Sequence, residues 1–295
     1  IRNYPYLIDH CIEYARANVF EGFITEGSAT FCQYLSDPEG YISAQLNAKN
    51  ANISLVNDKL DCLLKYAAVY HGGCTIESMV QMGRQLFQET FVDQIAQLLH
   101  CFPAGYVDKD GREFWVSPKR SPQLFDFDAN DEMHMNFVCS VVTIMKSVFN
   151  VKSTETLEQL KAMALAAKPV VAKLKKMTIK ENDNDQVTEG ADDDEDVAKG
   201  IAKKLCAIPG STSLGARAVD FEKDDDNNGH ISFMHATSNL RARNYRIPEI
   251  SFQKVKFIAG KIIPAIATTT AMIVGAVGFE LTKYAMGKGI DHVKN

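Results

Sequence analysis

The chain has 295 residues, 46% of them hydrophobic and 23% charged, enough apolar content for one large core or two smaller ones. Its net charge of -5 lacks the basic surplus of a general nucleic-acid binder. The seven cysteines, at 11, 32, 62, 74, 101, 139 and 206, include no Cys-x-x-Cys pair and sit mostly among apolar neighbours, which points to reduced thiols in a reducing compartment rather than to disulfides or zinc. The first residues carry no basic-then-apolar signal sequence.

Residues 1–170 read as helices joined by short loops. Pro5 fits a helix start, and Leu7, Ile8, Cys11, Ile12 and Ala15 form one apolar stripe. The three-and-four spacing recurs at Leu60, Leu63, Leu64, Ala67 and Ala68, at Phe87, Phe91, Ile95, Leu98 and Leu99, and from Phe137 to Phe149. Gly72-Gly73, Pro103 to Gly111 and Ser117 to Pro122 punctuate these runs. Alternating strand patterns are scarce, and no internal repeat is evident.

In residues 181–196 nine of sixteen positions are Asp or Glu and none is aromatic, so the run buries too little to offset the entropy of ordering it and reads as a disordered loop. Residues 197–220, with Gly200, Pro209, Gly210 and Gly215, read as a connector. A helix resumes near Asn227 with Asp226 or Asn227 as its cap. Ile262 to Leu281 is apolar apart from three threonines and Glu280; it is long enough to consider as a membrane span, but its threonines and proline favour a buried helix.

Several constellations invite chemical readings. Asp224-x-Asp226-x-Asn228-Gly229-x-Ile231 fits the first eight positions of a calcium loop, but the twelfth is His235 instead of a bidentate Glu, so a capping loop is the better reading. His10-Cys11 looks like a catalytic pair, yet adjacent helical residues point about 100° apart, and Cys11 lies on the apolar stripe. The stretch Trp115 to Pro122 holds Lys119 and Arg120 between prolines and reads as a packed Trp with a rigid turn rather than a docking loop.

Three segments carry a resemblance. They are Ile1-Arg2-Asn3-Tyr4-Pro5 followed by Leu7 to Glu13, Phe221 to His230 with Ser238-Asn239-Leu240-Arg241-Ala242-Arg243-Asn244-Tyr245, and Ile258-Ala259-Gly260-Lys261-Ile262-Ile263-Pro264 continuing into Ala265 to Ala271. Together they closely resemble the eukaryotic ubiquitin-activating enzymes. The resemblance implies a mainly α fold: a helical second catalytic-cysteine half-domain over 1–205, with an acidic disordered loop at 181–196, and a C-terminal fragment of an α/β adenylation domain over 212–295. It implies an enzyme that uses ATP and magnesium to adenylate the ubiquitin C-terminus, carries ubiquitin as a cysteine thioester and passes it to a conjugating enzyme. Ubiquitin and conjugating enzymes are the expected partners, with no nucleic acid and no membrane, and the expected location is cytoplasmic and nuclear.

The family's Cys-Thr pair would immediately precede Ile1, so the nucleophile is expected outside this chain, which alone would be inactive and would hold no cofactor or metal. Arg2 matches the family's basic position three residues after the cysteine; Asp183, in Ile179-Lys180-Glu181-Asn182-Asp183, matches its loop aspartate, with Asp185 nearly as good. A cation beside the thiol would favour the thiolate. The alternatives are an activator of another ubiquitin-like modifier and a non-catalytic helical interaction protein.

Overall fold

The computed structural model describes residues 4–47, 52–107, 111–174, 191–207, 215–261 and 267–292. Its regular structure among these residues is helical; the only bridge of β type is an isolated antiparallel one, Val107 to Glu113. The chain forms two compact units, Ile1–Ala259 and Gly260–Asn295.

In the first unit, α1 (Ile8–Tyr14) runs through a π-helical segment, Ala15–Thr25, into α2 (Glu26–Ser36); α3 (Pro38–Leu46) and α4 (Ile53–His71) follow. Next come α5 (Ile76–Phe87), a second π-helical segment, Gln88–Asp93, and α6 (Gln94–Cys101). After a long loop come α7 (Glu132–Val148), α8 (Leu157–Ala166), α9 (Ala191–Ala207), α10 (His230–Asn244) and α11 (Phe252–Ala259). Local sequence sets the helix starts. Asp37, Asn52, Thr75, Asp131 and Thr156 each accept a first-turn N–H, and Thr156 with Gln159 completes a capping box. Tyr66, Phe31 and Phe149 lie fully buried where α2, α4 and the end of α7 meet. A Cβ on Gly27 would come within 2.9 Å of the Cys62 sulfur and 3.0 Å of the Tyr66 ring, so glycine lets α2 approach α4.

The structure contains a repeat that the sequence reading did not find. The Arg84 guanidinium lies 3.6 Å from the centre of the Phe127 ring. That ring stacks on His134, whose Nδ1 accepts the N–H of Asp128 at 2.9 Å. Phe87 packs edge-on to Phe127 and Phe137 and is tilted against His134. The same arrangement recurs around α10. Arg16 lies 3.6 Å over Phe221, Phe221 stacks on His230, and His230 Nδ1 accepts the Glu222 N–H at 3.0 Å. Phe20 packs edge-on to Phe221, His230 and Phe233. In both copies the Phe three residues after the His reaches the midline, where Phe137 and Phe233 meet with ring centres 5.3 Å apart. Each copy sets a guanidinium over an aromatic face, that of Arg84 buried and that of Arg16 half-buried, a pairing that gains strength when desolvated.

Other expectations are corrected. Residues 191–196, read as the end of a disordered loop, open helix α9, which also absorbs residues 197–207 of the expected connector. Ala198, Ala202 and Leu205 recur at helical spacing and are buried, so the acidic start belongs to a helix with an apolar stripe. Residues 181–190 lie outside the described residues. Helix α10 begins at His230 rather than near Asn227. Asp226 instead pairs with Lys256 at 2.6 Å, and Asn228 Oδ1 accepts the His230 N–H. Gly229, at φ +80°, turns the chain there, and a Cβ on it would crowd Thr143. Residues 215–259 pack into the helical unit, and the division between compact units falls at 259/260.

In the second unit, α12 (Ala267–Ala285) precedes a 3₁₀ turn, Ile290–His292. Along α12 Met272, Val274, Phe279 and Leu281 are exposed, and no helix among the described residues is long and apolar enough to cross a membrane.

Candidate functional site

Arg2, Asp183 and Asp185 lie outside the described residues. The fixed point nearest Arg2 is Tyr4. Its ring sits edge-on to Phe114 and Trp115 at 5.7 and 5.9 Å, and Lys119 Nζ caps the group, 3.7 Å from the Phe114 ring centre and 4.8 Å from that of Tyr4. Trp115 Nε1 donates to the carbonyls of Phe102 and Pro103, both at 3.1 Å. Arg120 donates to the Arg246 carbonyl at 3.0 Å. The Trp115–Pro122 stretch therefore spends its aromatic and basic groups on internal contacts, as a packed turn would.

Behind Tyr4 lies a cavity of about 430 Å³. Tyr14, Asn18, Glu89, Thr90, Gln94, Arg241 and Tyr245 supply its polar lining, and Val19, Phe23 and Leu98 its apolar wall. Arg241 is buried from α10 with its guanidinium 3.7 Å over the Tyr14 ring. The Tyr14 hydroxyl donates to Gln94 Oε1 at 2.7 Å. Burial raises the Tyr14 pKa, against Arg241 and the Gln94 bond, and pushes the Tyr245 hydroxyl up to about 12. The cavity thus combines protonated phenols and a guanidinium with the carboxylate of Glu89, which pairs with Lys65 at 2.7 Å. Sequence reasoning missed this wall, because Tyr4, Tyr14 and Arg241 stand far apart in the chain and nothing in their spacing joins them.

None of the cysteines with a perturbed acidity is an activated nucleophile. Burial pushes the Cys11 thiol up to about 12, outweighing the opposing influence of Arg241, and Cys62 is likewise pushed to about 12 by burial. Cys32, Cys74 and Cys139 are raised by burial as well. His10 turns from Cys11 toward Tyr6: its Nδ1 accepts the Tyr6 N–H, and the two rings stand edge to face. Among the described residues no group of three or more His, Cys, Asp or Glu side chains could hold a metal. The calcium-like loop is a capping structure, with Asp225 Oδ1 accepting the Asn227 N–H and Asn228 Nδ2 donating to the Glu222 carbonyl.

Comparison with known proteins follows the same lines. The family described as "Ubiquitin-activating enzyme, SCCH domain" matches residues 5–256. "Ubiquitin-activating enzyme E1 1" of Candida albicans is 35% identical over the whole chain, and "Ubiquitin-like modifier-activating enzyme 1" of Homo sapiens is 32% identical over the whole chain. "Ubiquitin-activating enzyme E1 2" of Arabidopsis thaliana is 32% identical over 97% of it. The chain spans only 27–29% of the length of these relatives.

Proposed function

Since the chain belongs to the ubiquitin-activating enzyme family, through its SCCH domain, we propose that it is the helical scaffold beside the catalytic cysteine of an enzyme that activates ubiquitin. That enzyme adenylates the ubiquitin C-terminus with ATP and magnesium, forms a cysteine thioester with release of AMP, and hands ubiquitin to a conjugating enzyme in the cytoplasm and nucleus. The match over residues 5–256 carries this reading. The raised thiols of Cys11 and Cys62 support it, because the core offers no substitute nucleophile.

The proposed nucleophile belongs to the family's Cys-Thr pair, immediately before the position of Ile1. Arg2 then stands three residues after it and favours the thiolate, and Asp183 is the supporting loop carboxylate. The clamp of Phe114, Trp115 and Lys119 on Tyr4 is the anchor from which that short segment runs. Helix α12, apolar and exposed in its own unit, is proposed as a core helix of the adenylation domain, buried when that domain is whole. This chain by itself has no ATP site in the proposal and forms no adduct.

The test is a thioester assay with ubiquitin, ATP and magnesium. The whole enzyme should give a reductant-sensitive adduct and this chain alone none. In the whole enzyme Arg2→Ala should slow thioester formation more than adenylation. An Arg2→Ala enzyme with both steps unchanged would remove Arg2 from the chemistry.

A further inference from the structure

The repeat runs further than its aromatic core. With His134 aligned on His230, the ends of α7 and α10 match as well. Asn150 and Arg246 both turn the chain at positive φ, 53° and 55°. Each helix then closes with the same bond, Val151 N–H to the Lys146 carbonyl and Ile247 N–H to the Ala242 carbonyl, both at 2.9 Å. The entering segments correspond too: Gln123 stands four residues before Phe127, and Arg217 four before Phe221. Each caps the other copy's helix. The Gln123 N–H donates to the Asn244 carbonyl at 2.7 Å, and its Nε2 to the Arg243 carbonyl at 3.1 Å. The Arg217 N–H donates to the Val148 carbonyl at 2.9 Å, and its Nε to the Ser147 carbonyl at 2.8 Å. Asn244 aligns with Val148 and Arg243 with Ser147, so the exchange is that of a two-fold pair, with Phe137 and Phe233 meeting at its centre.

Two equivalent helices in one fold give each buried position a counterpart. Helix α7 buries Val141, Val142, Met145, Val148 and Phe149; at the aligned places α10 buries Thr237, Ser238, Arg241, Asn244 and Tyr245. The packing of α7 needs no polar group at these places, and burying one costs free energy, a charge most of all. Three of the polar residues have local reasons. Thr237 has the outline of its counterpart valine. Ser238 Oγ donates to the Met234 carbonyl of its own helix at 2.7 Å. Asn244 Nδ2 donates to the Phe91 and Gln123 carbonyls at 3.1 and 3.0 Å. Arg241 and Tyr245 remain. They line the cavity with Tyr4 and Tyr14, and the Arg241 guanidinium lies 3.7 Å from the centre of the Tyr14 ring and 5.3 Å from that of Tyr245.

We propose that Arg241 and Tyr245 are positioning residues for thioester formation: they build the wall that seats Tyr4, and through Tyr4 they fix the short segment that leads to the nucleophile. Phe114, Trp115 and Lys119 hold the same ring from the other side. The polar pair was placed in the copy that faces Tyr4, and the other copy kept Met145 and Phe149 in its core. This inference rests on the thioester chemistry proposed for the whole enzyme. Neither residue touches the reacting atoms, so adenylation does not depend on them.

The test gives α10 the residues of α7, in the whole enzyme. Arg241→Met should slow thioester formation from the preformed adenylate about tenfold, and Tyr245→Phe about threefold, because a slightly displaced thiol loses its reactive geometry. ATP–pyrophosphate exchange should keep its original rate in both. Thr237→Val, the same kind of exchange away from the polar wall, should change neither step. Arg241→Lys keeps a cation over the Tyr14 ring and should recover most of the loss. The proposal is overturned if both variants form thioester at the original rate, if both steps slow equally, or if Arg241→Lys is no faster than Arg241→Met. Should Arg241→Met lower the denaturation midpoint, Tyr245→Phe, which removes a single oxygen, decides alone. An unaltered enzyme that forms no adduct would refute the thioester reading itself, and this inference with it.

Discussion

His134 and His230 are the residues at which burial has a direct physical readout. Each accepts a backbone N–H through Nδ1, and burial lowers each pKa below 6.5 against the opposing influence of nearby carboxylates. The unfolded chain takes up protons near the ordinary value while the folded chain resists. Stability is therefore retained above that value and declines as pH falls through it, until the depressed folded values are passed. Denaturant titrations from pH 7.5 to 5 should show this decline, and His134→Asn, whose Oδ1 can accept the same N–H, should flatten part of it. An unchanged pH slope in that variant would contradict the neutral assignment. Cys11 is the companion case. Its apolar stripe and its 100° offset from His10 were legible in sequence, and the structure supplies the buried thiol that the pattern implied. Cys11→Ala should cost about 1 kcal/mol of stability and leave thioester formation in the whole enzyme intact.

At the scale of elements, helices form where apolar residues recur at three-and-four spacing, at 8–14, 53–71, 76–101 and 132–148, though Leu7 and Ala68 are exposed and Gln88–Asp93 is π-helical. The two copies share Asp-Phe-acid followed by His-x-x-Phe, at Asp126-Phe127-Asp128 with His134 and Phe137 and at Asp220-Phe221-Glu222 with His230 and Phe233, but unequal loops hide the match: His134 follows Phe127 by seven residues, and His230 follows Phe221 by nine. Only the folded chain shows the shared Arg–Phe–His geometry. Phe20 and Phe87 are fully buried at corresponding centres, so Phe20→Ala and Phe87→Ala should each cost about 3–5 kcal/mol in chemical denaturation. A loss under 1 kcal/mol in one alone would break the equivalence. Helix α9 shows the opposite error. The acidic composition of 181–196 masked the Ala198–Ala202–Leu205 stripe that begins just after it, and composition cannot see a stripe that buries mostly alanine. Leu205→Ala should loosen α9 and cost about 2–5 kcal/mol, measured by the same titration.

Across the whole molecule, the family and the helical class were legible because long segments match and the apolar period is consistent. Packing of α10 against α1 and α7 keeps residues 215–259 in the helical unit. Of the candidate site, Arg2 and Asp183 lie outside the described residues. Arg2 and Asp183 come from the resemblance, whereas the Tyr4 clamp and the Arg241 cavity wall exist only through tertiary contacts. If the clamp anchors the segment that carries Arg2, Lys119→Ala in the whole enzyme should slow thioester formation while leaving adenylation near its original rate. The central claim is that this helical unit supports a cysteine it does not itself supply. Peptide mapping of the trapped ubiquitin adduct of the whole enzyme tests it most directly. The adducted cysteine should lie in the Cys-Thr pair preceding the position of Ile1, with all seven cysteines of this chain unmodified; ubiquitin recovered on Cys11, or on any other of the seven, would contradict it.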